Sequence, residues 1–212
     1  MNIKQQFLTP NKFSRPGLRL RAVKGIAVHY TGDPGATAQQ TRDYFNSLAR
    51  RQDRYASAHY VIGLQGEVIQ MIPENEWSYC TNQANSYTIS IETCHPDCTG
   101  KFTQATEQAL IELVADLCKR HGLTAANVIR HYDVTRKCCP KYYVDHPAVW
   151  TAFKQAVADR MAEKPYTLPS YGKVIGYSPA VSDTTAPFTV KQGGTYQFKI
   201  TSDTQPSLIP GS

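Results

Sequence analysis

Hydrophobic positions along the chain change period several times, and each change predicts an element. Ile26-Ala27-Val28 is a short unbroken apolar run, the pattern of a strand buried on both faces. It ends in His29 and the turn former Gly32-Asp33-Pro34-Gly35. Thr37 to Arg54 places Tyr44, Phe45 and Leu48 at helical spacing between polar residues, which predicts an amphipathic helix. Between Ala58 and Pro73 two strand-like runs flank a Gly-containing turn, a β-hairpin pattern. Pro73 to Tyr87 has no period and reads as a polar loop holding Trp77, Tyr79 and several amides, Asn85 among them. Strict alternation returns in Thr88 to His95, with Ile89 and Ile91 on one face and Ser90 and Glu92 on the other. Thr103 to His121 carries the stripe Ala109, Leu110, Leu113, Val114 and Leu117, with Thr103 as cap, Gly122 as stop and Cys118 beside the stripe. Asn127 to Arg130 predicts a short strand, and Trp150, Phe153 and Val157 outline a last helix from Pro147 to near Met161. Residues 3 to 20 read as an extended arm with Pro and Gly.

Beyond residue 163 the pattern becomes short β-prone runs between Gly and Pro turns, after a Pro-containing linker. The expected organisation is a chemistry-bearing domain over residues 1–162, a linker over 163–171 and a β-prone tail over 172–212. All six His and all six Cys precede that boundary, so the tail carries no imidazole or thiol ligand.

A hydrophobic content of 41% with 19% charged residues is that of a folded globular chain, and no apolar run approaches the twenty or so residues of a membrane span. The start, Met1 to Gln6, shows no apolar stretch of a secretory signal. The net charge of +6 favours an anionic partner, yet Lys and Arg are scattered rather than gathered on one helix, which argues against nucleic acid. Adjacent Cys138 and Cys139 suit a disulfide framework poorly. Free thiols are expected, with Cys94 and Cys98 the one candidate pair.

The chemistry concentrates in His131-Tyr132-Asp133-Val134-Thr135-Arg136-Lys137-Cys138-Cys139-Pro140. A catalytic zinc site needs three protein ligands and an open position. His29 at a strand end, His131 after another strand and one of the two cysteines supply such a set; Pro140, which pins the backbone just after it, favours Cys139 over Cys138. Glu92, a carboxylate on a core strand, is the acid-base candidate, because such a group is costly there unless it works in a cleft. Lys137 would steady an oxyanion, and Asp133 would accept a hydrogen bond from a metal ligand. His59 reads either as a cleft residue or as a structural hydrogen-bonding group. Trp77 reads either as a groove residue or as a plug under its loop. A Cys-His thiol hydrolase using Cys94 or Cys139 with His29 is the competing chemistry, but it leaves the lysine and the doubled cysteine unexplained.

Four blocks together resemble the type 2 N-acetylmuramoyl-L-alanine amidases, the family shared by phage endolysins, bacterial autolysins and peptidoglycan recognition proteins. They are Val28-His29-Tyr30-Thr31, Ser57 to Ile62 with Gly66, Ile89-Ser90-Ile91-Glu92, and His131 to Thr135 with Lys137, Cys139 and Pro140. The resemblance covers roughly residues 20 to 160. It implies an α/β fold with a mixed central β-sheet flanked by helices, and cleavage of the amide between the lactyl group of N-acetylmuramic acid and L-alanine. It implies Zn2+ held by His29, His131 and Cys139, with Glu92 and Lys137 catalytic; His59, Trp77 and Asn85 are the candidate substrate contacts from the residues themselves. Ala58 stands where another branch has a tyrosine, so proton transfer falls to Glu92. A histidine that many relatives carry in the loop Trp77-Ser78-Tyr79-Cys80 is missing. The implied partners are the peptidoglycan stem peptide and muramic acid, with anionic wall polymers attracting the positive charge. A monomer made in the cytoplasm and released to the wall through a phage lysis system is the expectation, with the tail as part of a wall-binding module. The alternative is a non-catalytic peptidoglycan-binding protein of the same fold.

Overall fold

The run Ile26–Val28 does become an interior strand, wholly buried between two neighbours. In the computed structural model, which describes residues 1–162, six strands form one sheet: β1 (Ile3–Gln5), β2 (Gly25–Val28), β3 (Tyr60–Ile62), β4 (Val68–Gln70), β5 (Thr88–Thr93) and β6 (Val128–Arg130). Their spatial order is β1-β4-β3-β5-β2-β6. Only the β3–β4 hairpin is antiparallel, so the sheet is mixed, as the family resemblance implies. The linker and β-prone tail lie outside the described residues.

Among the described residues five α-helices accompany the sheet: α1 (Ala38–Arg51), α2 (Gln104–His121), α3 (His131–Thr135), α4 (Lys141–Asp145) and α5 (Pro147–Ala162). Thr37 caps α1 in a reciprocal capping box with Gln40, and Thr103 caps α2, whose end falls at left-handed Gly122. In the hairpin turn Gly66 has φ 80°, and a Cβ there would stand 2.7 Å from the Ala105 carbonyl oxygen. Only glycine therefore lets the hairpin sit this close to the start of α2.

The two faces of the sheet differ. Ile26, Val28, Tyr60, Ile62, Ile89 and Ile91 join the apolar side of α2 and the Trp150, Phe153 and Val157 stripe of α5 in one continuous core. On the opposite face Val61 and Ile69 pack with Ala38, Phe45 and Leu48 of α1, but this cluster sits over β3 and β4. Strand alternation puts Ala27, His29, Ser90 and Glu92 on that second face, along β2 and β5, beside the part α1 covers. The alternation read in β5 holds, though both its faces are buried: the loop before it covers Ser90.

The one-turn helices α3 and α4 escape a periodicity reading because five residues are too few to show a stripe. All six cysteines are free, so Cys94 and Cys98 are unpaired, the first buried and the second exposed. Among the described residues no helix is long and apolar enough to cross a membrane.

Candidate metal and acid-base site

β2 and β5 run parallel in a register that pairs Val28 with Ile91. One step further stand His29 and Glu92, and the His29 amide donates to the Ile91 carbonyl (2.9 Å). The small residues Ala27 and Ser90 just before them leave room for Thr81, whose hydroxyl bonds Ser90 Oγ (2.9 Å) and His29 Nε2 (3.0 Å). That contact fixes the His29 ring and leaves Nδ1 3.7 Å from Cys139 Sγ.

β6, which lies beside β2, delivers His131. The strand ends at Arg130, the N-cap of α3, whose amide and guanidinium are held by the Asp133 carboxylate (2.8 and 2.7 Å). His131 is therefore the first residue of a capped turn, buried, with its ring edge-on to His29 at 4.9 Å between centroids. Its Nε2 faces Asn82 Oδ1 at 3.1 Å. Arg136, in the left-handed region at φ 67°, ends α3 and turns the chain back. The Tyr132 amide then donates to the Cys139 carbonyl (3.0 Å), which draws Cys139 in. Cys139 is buried, whereas Cys138 is exposed and its thiol faces Asp145.

The ligand atoms of His29, His131 and Cys139 lie within 4.8 Å of one another. Two imidazoles and one thiol, each ring with its second nitrogen held by a neighbouring oxygen, make a donor set that suits a borderline-soft divalent cation. His29, Cys80 and Glu92 form a second close group that shares His29. There the Cys80 thiol already donates to Glu92 Oε1 (3.5 Å). Burial, then the charges of His131 and Lys137, holds His29 well below the usual imidazole range; burial and Lys137 hold His131 at about 4. Both rings are thus neutral, as ligation requires. Burial, with the Glu92 charge behind it, pushes the Cys139 thiol up to about 12, so this sulfur becomes a thiolate only beside a cationic partner. Burial also raises Glu92 to about 7, against the opposing pull of the Cys80 thiol and Lys137. Its Oε2 is inaccessible to solvent and has no hydrogen-bond partner, a free acceptor beside the donor set.

These groups open into a cleft of about 390 Å³ that Tyr30, Tyr55, Tyr79, Asn82, Asn85 and Lys137 also line. Lys137 is exposed at its rim. Asn85 lines the cleft too, but its Oδ1 accepts the Cys80 and Thr81 amides (3.1 and 2.7 Å), so it shapes the loop.

Three expectations need correction. His59 is fully buried, with Nδ1 accepting the Ser90 amide (3.0 Å) and Nε2 bonded to the Glu76 carbonyl (2.8 Å). It is the structural hydrogen-bonding group of the two readings, with no nitrogen left for substrate. Trp77 packs against the main core and is not among the cleft residues. Asp133 holds Arg130 rather than a candidate metal ligand; the partners of the His29 and His131 rings are Thr81 and Asn82. Those two residues, with Cys80, are what sequence reasoning missed. Their signal is faint: a polar stretch without period, in which Asn82 alone takes a left-handed backbone (φ 53°), a conformation asparagine tolerates.

Residues 19–142 match the N-acetylmuramoyl-L-alanine amidase family model, and the chain belongs to that family. It is 40% identical over 177 residues to the N-acetylmuramoyl-L-alanine amidase CwlL of Bacillus licheniformis, an alignment covering 77% of this chain and 49% of that protein. The chain spans about half the length of the curated relatives it matches. Among solved structures, the catalytic domain of XlyA superposes with a TM-score of 0.63 at 27% identity, covering 74% of this chain and 99% of that one. A mutant endolysin from Bacillus subtilis does so at 0.63 and 28%, covering 74% and 98%.

Proposed function

We propose that the chain is a zinc-dependent hydrolase of peptidoglycan that cuts the amide between the lactyl group of N-acetylmuramic acid and L-alanine. The observation that carries this reading is the His29–His131–Cys139 donor set with the unpartnered Glu92 oxygen beside it in one cleft. His29, His131 and Cys139 would hold the zinc, which would supply Lewis acidity at the scissile amide.

Glu92 takes the proton from the attacking water and returns it to the departing nitrogen. The C–N bond breaks, leaving a lactyl carboxylate and the free amine of L-alanine. Lys137 at the rim offsets negative charge that develops on the carbonyl oxygen. Thr81 and Asn82 keep the two imidazoles aimed. The lytic role is that of a phage or prophage endolysin reaching the wall once the host membrane is breached, and its support is the likeness to the B. subtilis endolysin. The +6 charge suits anionic wall polymers.

Digestion of purified peptidoglycan tests the reading. New amino-terminal alanine on released stem peptides is the expected product. New reducing sugar ends without new amines would replace it with a glycosidase, and tight muropeptide binding without any cleavage would replace it with a non-catalytic binding protein.

A further inference from the structure

The cleft lining holds two chemically different groups of residues. One is Glu92, the ligand set and Lys137; the other is Phe45, Tyr55, Ala56, Ser57 and Tyr79, and none of these five carries a charge at neutral pH. Tyr55 is 59% exposed, which is unusual for a ring so firmly braced. Phe13 supports it at 5.1 Å, inclined by 32°, and Tyr79 meets it edge-on at 5.4 Å and 81°. Backbone bonds hold the support together: the Ala56 amide donates to the Phe13 carbonyl (3.1 Å) and the Ser57 amide to the Tyr79 carbonyl (3.0 Å). Ser57 Oγ in turn accepts the Tyr79 amide (2.9 Å).

A rigid ring held open to solvent retains a hydrophobic face at low entropic cost, the property of an aromatic anchor. The stem peptide carries free carboxylates and small methyl side chains, whereas an N-acetylated pyranose is neutral and offers a flat face of C–H groups edged by hydroxyls. The uncharged aromatic part of the lining suits the second. We propose that Tyr55, braced by Phe13 and Tyr79, is the stacking platform for a sugar ring of the glycan strand, which sets how the muramic acid enters the cleft. The proposal rests on the amidase reading for its substrate, and its direct ligand is the N-acetylated disaccharide.

Two substrates separate sugar from peptide: a disaccharide muropeptide, and the same stem peptide on a lactyl group with no sugar. Tyr55→Ala is expected to raise KM for the muropeptide about tenfold with kcat kept, a loss of about 1.4 kcal/mol, and to leave the lactyl peptide unaffected. Tyr55→Trp is expected to restore the muropeptide KM. An equal loss on both substrates, or none on either, overturns the platform. Titration of the peptide-free disaccharide into wild type and Tyr55→Ala gives an independent reading, with weaker binding to the variant expected and equal binding contradicting it. If wild type cleaves neither substrate the amidase reading falls, while the disaccharide titration still decides the platform. Unchanged thermal melting of Tyr55→Ala excludes a folding cause.

Discussion

The two faces of the same sheet are built to opposite ends. Under α2 and α5, β2 and β5 present Ile26, Val28, Ile89 and Ile91 to a continuous apolar core. One residue out of phase, the same two strands turn Ala27 and Ser90 to the opposite face, and the positions that follow in that phase, His29 and Glu92, line a cleft. A strand's period of two lets one segment stabilise the fold and hold chemistry at once, provided a helix leaves part of one face uncovered. Here α1 packs over β3 and β4, while His29 and Glu92 face the cleft. The lesson is that site residues can be sought at the polar phase of an otherwise apolar central strand.

Substitutions on either face should separate stability from function. The largest effect expected is from Cys139→Ser, which removes the only sulfur of the ligand set: zinc affinity should fall by more than the ~10–100-fold typical of outer hydrogen-bond partners. Metal analysis after dialysis, with loss of cell-wall turbidity as the activity readout, checks this; retained stoichiometric zinc would shift the ligand to Cys138 or Cys80. On the apolar face, Leu113→Ala should cost about 3 kcal/mol in denaturant unfolding, yet leave turnover per folded molecule unchanged. If it lowered kcat at full folding, the two faces would not be independent.

A smaller effect is expected from Thr81→Val and Asn82→Ala, each of which frees one imidazole. Zinc affinity should drop ~10-fold or more in a competition titration with a chromophoric chelator. The smallest concerns Glu74, a carboxylate outside the cleft. Burial alone would raise its pKa, but bonds from Arg120, Tyr60 and His121 pull it down to about 2. Because the folded value lies below the ordinary 4.5, the stabilisation is fully present above about pH 5 and is lost as pH falls towards 2. Glu74→Gln should cost on the order of 1 kcal/mol at pH 7, given the partly exposed Arg120 partner, and should flatten the acid limb of the stability curve. Activity should not change.

Much of this was legible because hydrophobic period reports burial directly. The strand at Ile26, the β3–β4 hairpin, capped helix α2 and the stripe of α5 are all set by local pattern. The convergence of His29, His131, Cys139 and Glu92 on one cleft was legible for a related reason: each is a costly group placed at the end or in the middle of a buried strand, or beside a rigid turn. Thr81, Asn82 and Cys80 were not, because they belong to a loop whose conformation is dictated by what it touches. His59 misled for the converse reason. A histidine at a strand start looks the same in sequence whether its nitrogens face a cleft or, as here, two backbone groups. Tyr55 meets Phe13 and Tyr79 across long sequence separations, so no local pattern reports the cluster.

The central claim is a division of labour within the polar patch: His29, His131 and Cys139 for the metal, Glu92 for the proton. Glu92→Gln, which keeps the shape and removes the charge, tests it most directly, with zinc content and release of amino-terminal alanine measured on the same preparation. The account predicts wild-type zinc with hydrolysis reduced at least ~100-fold. Near wild-type hydrolysis by the zinc-loaded variant would contradict it.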